Sequence, residues 1–223
     1  MTPLALPDVP RWIEAHGIAA DPAGWRRTLG DGLALGHDAS RLIVIGGEAD
    51  APAVRALVAE HPRHTVLVAA EREDLVATLR ASDRIVGRAI LHTLAAPAGL
   101  PELEGAEPLP ADAPLPAPLA DELARARHGG RTIWSAWVDG EPVAFAYAPW
   151  RSARWFDVSV DVLPGARQLG LGTLVASAML RDERAQGREP VWAADEANVA
   201  SLRLARGLGF VASDELWVAP GAM

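Results

Sequence analysis

The chain has 223 residues, enough for one large domain or two small ones, and half of them are hydrophobic. It carries 21 basic and 29 acidic residues, a net charge of −8, which argues against a broad basic face for nucleic acid. It has no cysteine, which excludes disulfides, thiolate nucleophiles and cysteine metal sites together. All the basic residues are arginine, so no lysine Schiff base can form.

No apolar run approaches the ~20 residues that span a membrane. The opening Met-Thr-Pro-Leu-Ala-Leu-Pro-Asp has neither a basic start nor a continuous apolar stretch, so no signal peptide is expected. A cytoplasmic protein that binds neither membrane nor nucleic acid is the expectation.

In chain order, Leu42 to Ile45 reads as a buried strand ending in a tight turn at Gly46-Gly47, too sparse in glycine for a nucleotide loop. A helix opens at Asp50 or Ala51, with Ala53, Val54, Leu57 and Val58 at helical spacing. Thr65 to Ala69 is a second strand, Asp74 to Arg80 lies on a second helix, and Arg84 to His92 is a third strand. This alternation predicts a small N-terminal α/β region over 1–96, with no internal repeat. Seven prolines between 97 and 118 predict an extended linker or surface loop. A helix over Leu119 to Arg127, stopped at Gly129-Gly130, opens the remaining domain, 119–223.

There, Thr132 to Val138 and Pro142 to Ala148 flank Asp139-Gly140, a hairpin signal. Arg154 to Val162 alternates, with Asp157, Ser159 and Asp161 on one face and Phe156, Val158 and Val160 on the other. An antiparallel meander thus feeds Pro164, Arg167-Gln168-Leu169-Gly170-Leu171-Gly172-Thr173 and an amphipathic helix with Leu171, Leu174, Val175 and Ala178 on its buried stripe. Glycines at a helix N-terminus let backbone amides approach an anion, and the helix end favours phosphate. Pro190 to Ala194 reads as a further strand, followed by Asn198-Val-Ala-Ser201, a short helix and Leu-Gly-Phe210.

Strand, Arg-x-x-Gly-x-Gly, helix, strand, Asn-x-x-Ser, helix, in this order, resembles the cofactor half of the GNAT acyltransferases, over roughly the last 90 to 120 residues. The resemblance implies an α/β fold with a mixed sheet flanked by helices. The N-terminal region fits the degenerate α/β half that some GNAT-like proteins carry. It also implies acetyl-CoA as acyl donor. Its pantetheine arm would pair with the backbone of Val160, Asp161 and Val162 in an opening between two strands. An amide near Val162 would stabilise the oxyanion. Arg167, Gln168, Leu169, Gly170, Leu171, Gly172 and Thr173 would wrap the pyrophosphate. Asn198 and Ser201 belong to the second motif, and Arg203 or Arg206 would reach the 3′-phosphate.

The implied reaction is N-acetylation of a small-molecule or peptide amine by direct attack. The residues that usually serve as acid and base fall at Ala205 and Ala193, which move no proton. Asp157 or Asp161 is the substitute base, directly or through water, unless both simply face solvent; Asp195 and Glu196 lie at the end of the next strand. Trp150 is the candidate to touch the acceptor. The alternative is a non-catalytic CoA or acetyl-CoA sensor or scaffold, and transfer to a hydroxyl would need a stronger base. Histidines 16, 37, 61, 64, 92 and 128 show no metal-ligand spacing, so no metal is expected. Sheet edges over Val211 to Val218 could pair across a homodimer.

Overall fold

A computed structural model describes residues 6–95, 100–128 and 130–222. The expected starts of the chain and of the proline-rich segment, and Gly129 of the helix stop, lie outside these residues. The chain forms two compact units: Met1–Leu91 with Ala193–Asn198 and Ala212–Met223, and His92–Trp192 with Val199–Val211. Each combines mixed or antiparallel strands with helices, the α/β class that the motif order implies.

The first unit begins with helix α1 (Ile13–Ala20) and a long strand β1 (Gly24–His37) that turns back into β2 (Leu42–Ala49). Helix α2 (Ala51–Glu60), strand β3 (Thr65–Ala69), helix α3 (Glu73–Arg80) and strand β4 (Gly87–Leu94) follow. Within this unit the strands run β1-β2-β3-β11-β4, where β11 is Phe210–Ala219. The β2–β3 pair is parallel and is joined by α2; β11 pairs antiparallel to β3. Ile43, Ile45, Val66 and Val68 of the strands bury against Val54, Leu57, Val58, Leu75 and Leu79 of α2 and α3. Each such side chain contributes roughly 1.5–3 kcal/mol.

Two expectations change here. Strand β2 does not stop at Gly46-Gly47: it continues to Ala49, because Gly32 and Leu33 of β1 pair with those glycines. Strand β4 starts at Gly87 rather than Arg84, since Asp83 takes a left-handed φ of 58°. Arg84 is buried, and its guanidinium donates to the carbonyls of His64 (2.6 Å), His61 (3.0 Å) and Pro220 (3.0 Å).

In the second unit, β5 (Glu107–Pro108) lies within the proline-rich segment and pairs with β6 (Trp134–Val138). Helix α4 (Ala120–His128) precedes β6, which forms a hairpin with β7 (Glu141–Tyr147). The hairpin turn has φ of 52° at Asp139 and 81° at Gly140, the paired positive values that a tight two-residue connection needs. After β8 (Trp155–Asp157) and β9 (Ser159–Val162) come α5 (Leu171–Ala185), β10 (Glu189–Asp195) and α6 (Val199–Gly207). The four-stranded sheet runs β5-β6-β7-β9.

This sheet has a helix on each face. Phe145 and Tyr147 of β7 join Leu123 and Ala126 of α4 in one buried cluster. Opposite, α5 packs on β6, β7 and β9, where Ala144 and Ala146 stand beside Val162 and Val160 and keep the surface low. Val175 to Leu180 of α5 are buried, whereas Leu171 and Leu174, expected on the buried stripe, are half-exposed. Glu183, also on α5, is buried with Arg151 and with Arg188 at 2.7 Å.

Candidate active site

The strand expected over Arg154 to Val162 is two strands with different partners. Strand β8 pairs in parallel with β10, matching Asp157 to Val191, and the Val158 N–H still donates to the Val191 carbonyl at 2.9 Å. One residue later the chain pairs antiparallel with β7 instead, matching Ser159 to Tyr147 and Val162 to Ala144. From Ser159 onward β9 is therefore the outer strand of its sheet.

Period-two alternation fixes which backbone groups face that edge. The Leu163 N–H donates to Val143 of β7 at 2.9 Å, so Asp161 and Ser159 also turn their backbone groups toward β7. Those of Val160 and Val162 consequently face outward. Arg167 confirms the direction: its Nε lies 3.3 Å from the Val162 carbonyl oxygen.

The glycine segment sits just beyond. Gln168 and Gly170 both take left-handed φ, 67° and 76°, and Gly170 is the residue that caps α5. The Leu174 N–H makes the first intrahelical bond, to Gly170 at 3.1 Å. The N–H groups of Leu171, Gly172 and Thr173 precede that bond, and no side chain caps the helix. A Cβ at Gly172 would come within 3.2 Å of Leu204 and 3.5 Å of Val162, so the glycine also keeps α5 close to β9 and α6. Arg167, Gln168, Leu169 and Gly170 are exposed.

Of the second motif, Ser201 on α6 accepts a 2.9 Å hydrogen bond from the Trp192 indole. Asn198 lies in the first unit, in a turn where Asp195 accepts the Ala197 N–H at 2.7 Å. Glu196 faces Arg88 at 3.5 Å. Both carboxylates thus have structural partners. Arg203 and Arg206 are exposed on α6, and Ala205 is fully buried. Trp150 is buried, and its backbone carbonyl accepts the Asp157 N–H at 2.9 Å, which sets it alongside β8.

The two aspartates differ in surroundings. Burial pushes the Asp157 carboxyl up to about 7, against the opposing pull of the Val158 N–H and the charge of Arg131. Burial also raises Asp161, and the charge of Glu122 adds to the effect, while a hydrogen bond from Tyr147 opposes it. The Tyr147 Oη lies 3.1 Å from Asp161 Oδ2 and 3.0 Å from Glu122 Oε2. Sequence reading passed over both partners. Tyr147 is the chain's single tyrosine, and pairing β7 with β9 places it on the aspartate face. Glu122 carries no signal of its own, since α4 reaches this face only through packing.

Residues 134–218 match the family model for GNAT acetyltransferases. The chain carries a GNAT acetyltransferase domain. Its fold is that of the GNAT structures over nearly the whole length. A putative GNAT acetyltransferase from Novosphingobium aromaticivorans superposes with a TM-score of 0.66 at 16% identity, covering 97% of this chain and 98% of the other. A GCN5-related N-acetyltransferase from Kribbella flavida gives 0.66 at 17%, covering 96% and 95%. A tandem GNAT protein from the clavulanic acid biosynthesis pathway gives 0.53 at 16%, covering 96% and 94%. At these identities the likeness establishes the fold. No curated protein matches the chain significantly in sequence.

Two further observations bear on partners. Among the described residues no helix is long and apolar enough to cross a membrane. Asp38, His61 and His64 bring possible metal-ligand atoms within 4.8 Å of one another, although their spacing gave no hint of it. Those groups already serve one another. Asp38 accepts from the Trp25 indole at 2.9 Å and pairs with His64 at 3.0 Å, while Trp25 stacks on His61. The buried guanidinium of Arg84 holds the backbone carbonyls of both histidines.

Proposed function

We propose that this GNAT domain transfers an acetyl group from acetyl-CoA to an amine by direct attack. The observation that carries the reading is the outward edge of β9 beside the amide-lined start of α5. Val160 and Val162 offer backbone donors and acceptors to an extended pantetheine arm, as an added strand would use them. The N–H groups of Leu171, Gly172 and Thr173, with the positive end of α5 and the exposed Arg167 and Gln168, suit a pyrophosphate. These groups support acetyl-CoA as the acyl donor.

The amine nitrogen attacks the thioester carbonyl carbon, the C–N bond forms, and the C–S electron pair leaves with sulfur. Holding the two reactants together supplies much of the acceleration. The Val162 N–H, which faces the open edge, donates to the developing oxyanion in this reading. Asp157 serves as base, directly or through water. With its carboxyl near 7 it is part ionised at neutral pH and can take the proton that the attacking nitrogen sheds as the amide forms. The acceptor is a small-molecule or peptide amine.

The buried Ala205, where the usual tyrosine acid would stand, favours a second reading: a CoA or acetyl-CoA sensor without turnover. Calorimetric titration with acetyl-CoA, alongside Gly172→Glu, tests the shared premise. Micromolar binding lost in the variant supports the site, and turnover with any member of an amine panel then supports the transferase over the sensor. Failure of the intact protein to bind acetyl-CoA overturns both.

A further inference from the structure

A phenol has one hydrogen, yet Tyr147 Oη lies within hydrogen-bonding distance of two carboxyl oxygens, Glu122 Oε2 at 3.0 Å and Asp161 Oδ2 at 3.1 Å. An ionised carboxylate only accepts. If both were ionised, one contact would set lone pair against lone pair beside a tyrosine that is 3% exposed. The arrangement is balanced when one carboxyl keeps its proton and donates it to the phenol oxygen. The three groups come from α4, β7 and β9 and form a row: Glu122 exposed, Tyr147 buried, Asp161 half-buried on the outer strand.

The position of the shared proton follows from exposure. Glu122 on α4 is in water, whereas Asp161 is partly desolvated and feels the charge of Glu122, both of which favour the protonated acid at Asp161. The hydroxyl of Ser159 also bonds Tyr147, and the charge of Arg131 acts on Asp157. Burial drives Tyr147 well above its ordinary value, so the phenol passes protons along without ionising.

We propose that Glu122, Tyr147 and Asp161 form a proton wire from solvent to the edge of β9, which delivers the acid for acetyl transfer. The inference rests on the transferase reading above, and it gives Asp161 the role opposite to the base expected from sequence. As the C–S bond breaks, the electron pair goes to sulfur and Asp161 Oδ2–H protonates it, so CoA leaves as the thiol. Glu122 then takes a proton from water and passes it to Tyr147 as Tyr147 gives its own hydrogen to Asp161. A neutral amine gives one proton to Asp157 as the amide forms while one enters at sulfur; an amine that arrives as the ammonium gives its extra proton to water first. Tyr147 and Glu122 act through Asp161 and do not touch substrate. The wire replaces, from the opposite side of the domain's sheet to α5, the acid missing at Ala205.

The test uses the full chain and Tyr147→Phe, which keeps the ring and removes the relay oxygen. Infrared spectra at neutral pH, taken in an Asp157→Asn background because Asp157 also holds a proton there, are expected to show a protonated-carboxyl band that is lost on adding Asp161→Asn and displaced on adding Tyr147→Phe. Acetyl-CoA binding is expected to be unchanged in Tyr147→Phe, while kcat falls on the order of 10²-fold and its alkaline limb moves to lower pH. A thioester with a more acidic leaving thiol should restore most of that loss. Absence of the carboxyl band, or a Tyr147→Phe enzyme with the parent pH profile, overturns the wire. Failure of the intact protein to bind acetyl-CoA overturns the transferase reading and the catalytic role together, and is distinguished from failure of the wire alone by the infrared band.

Discussion

Replacing Asp157 with asparagine should make the protein's stability less sensitive to pH while removing the proposed base. In the folded chain the carboxyl titrates near 7 because it is buried, against 3.8 for an ordinary aspartate. Each pKa unit is worth about 1.4 kcal/mol, so ionising Asp157 in place costs roughly 4 kcal/mol at most. Residual solvent access of this half-buried residue reduces the figure to about 2–4 kcal/mol. The sign follows from proton counting. Between about pH 4 and pH 7 the folded state holds a proton that the unfolded chain has released, so the parent loses stability as pH rises through this window and the loss is complete above it. Asparagine has no such dependence. Urea unfolding followed by tryptophan fluorescence should therefore show Asp157→Asn gaining about 2–4 kcal/mol on the parent between about pH 4 and pH 8. The same variant should lose the rise of kcat/KM through about pH 7. An equal stability difference at both pH values would refute the burial argument, and with it the assignment of Asp157 as a base tuned to neutral pH.

Two further outcomes follow from particular bonds. Val162→Pro removes an N–H that faces outward from an edge strand, a position that tolerates proline, so the far-UV spectrum should be unchanged. Its kcat should fall by about 10²–10³ if that N–H stabilises the oxyanion, and a normal kcat would remove Val162 from that role. Glu183→Ala leaves Arg151 and Arg188 without their buried partner, and should cost about 3–5 kcal/mol in denaturant unfolding without changing which residues bind acetyl-CoA. A cost below about 1 kcal/mol would place the ion pairs in effective contact with water.

Much of the chain was legible because local chemistry decides it. Asp139-Gly140 can supply two consecutive positive φ values, and so it marks the β6–β7 hairpin whatever surrounds it. Gly170 and Gly172 mark a helix start open to an anion because the requirement lies in the backbone itself. The helices α2, α3 and α4 follow from the spacing of their apolar residues, and all three stand within a few residues of where that spacing puts them.

What the chain could not show by itself depends on partners remote in sequence. The alternation from Arg154 to Val162 is the same whether a strand keeps one neighbour or exchanges it, so the switch at Val158 from β10 to β7 is a property of the assembled sheets. That switch leaves Val160 and Val162 facing outward, and it is the physical basis of the proposed acetyl-CoA site. Gly46-Gly47 reads as a turn until Gly32 and Leu33 of β1 lie beside it. The proton shared by Asp161 is likewise invisible along the chain, because Glu122 stands 39 residues away and meets it only through a tyrosine buried between a helix and a sheet. Backbone requirements are written locally; strand exchange, burial and the proton affinities that follow from burial exist only once the elements have packed.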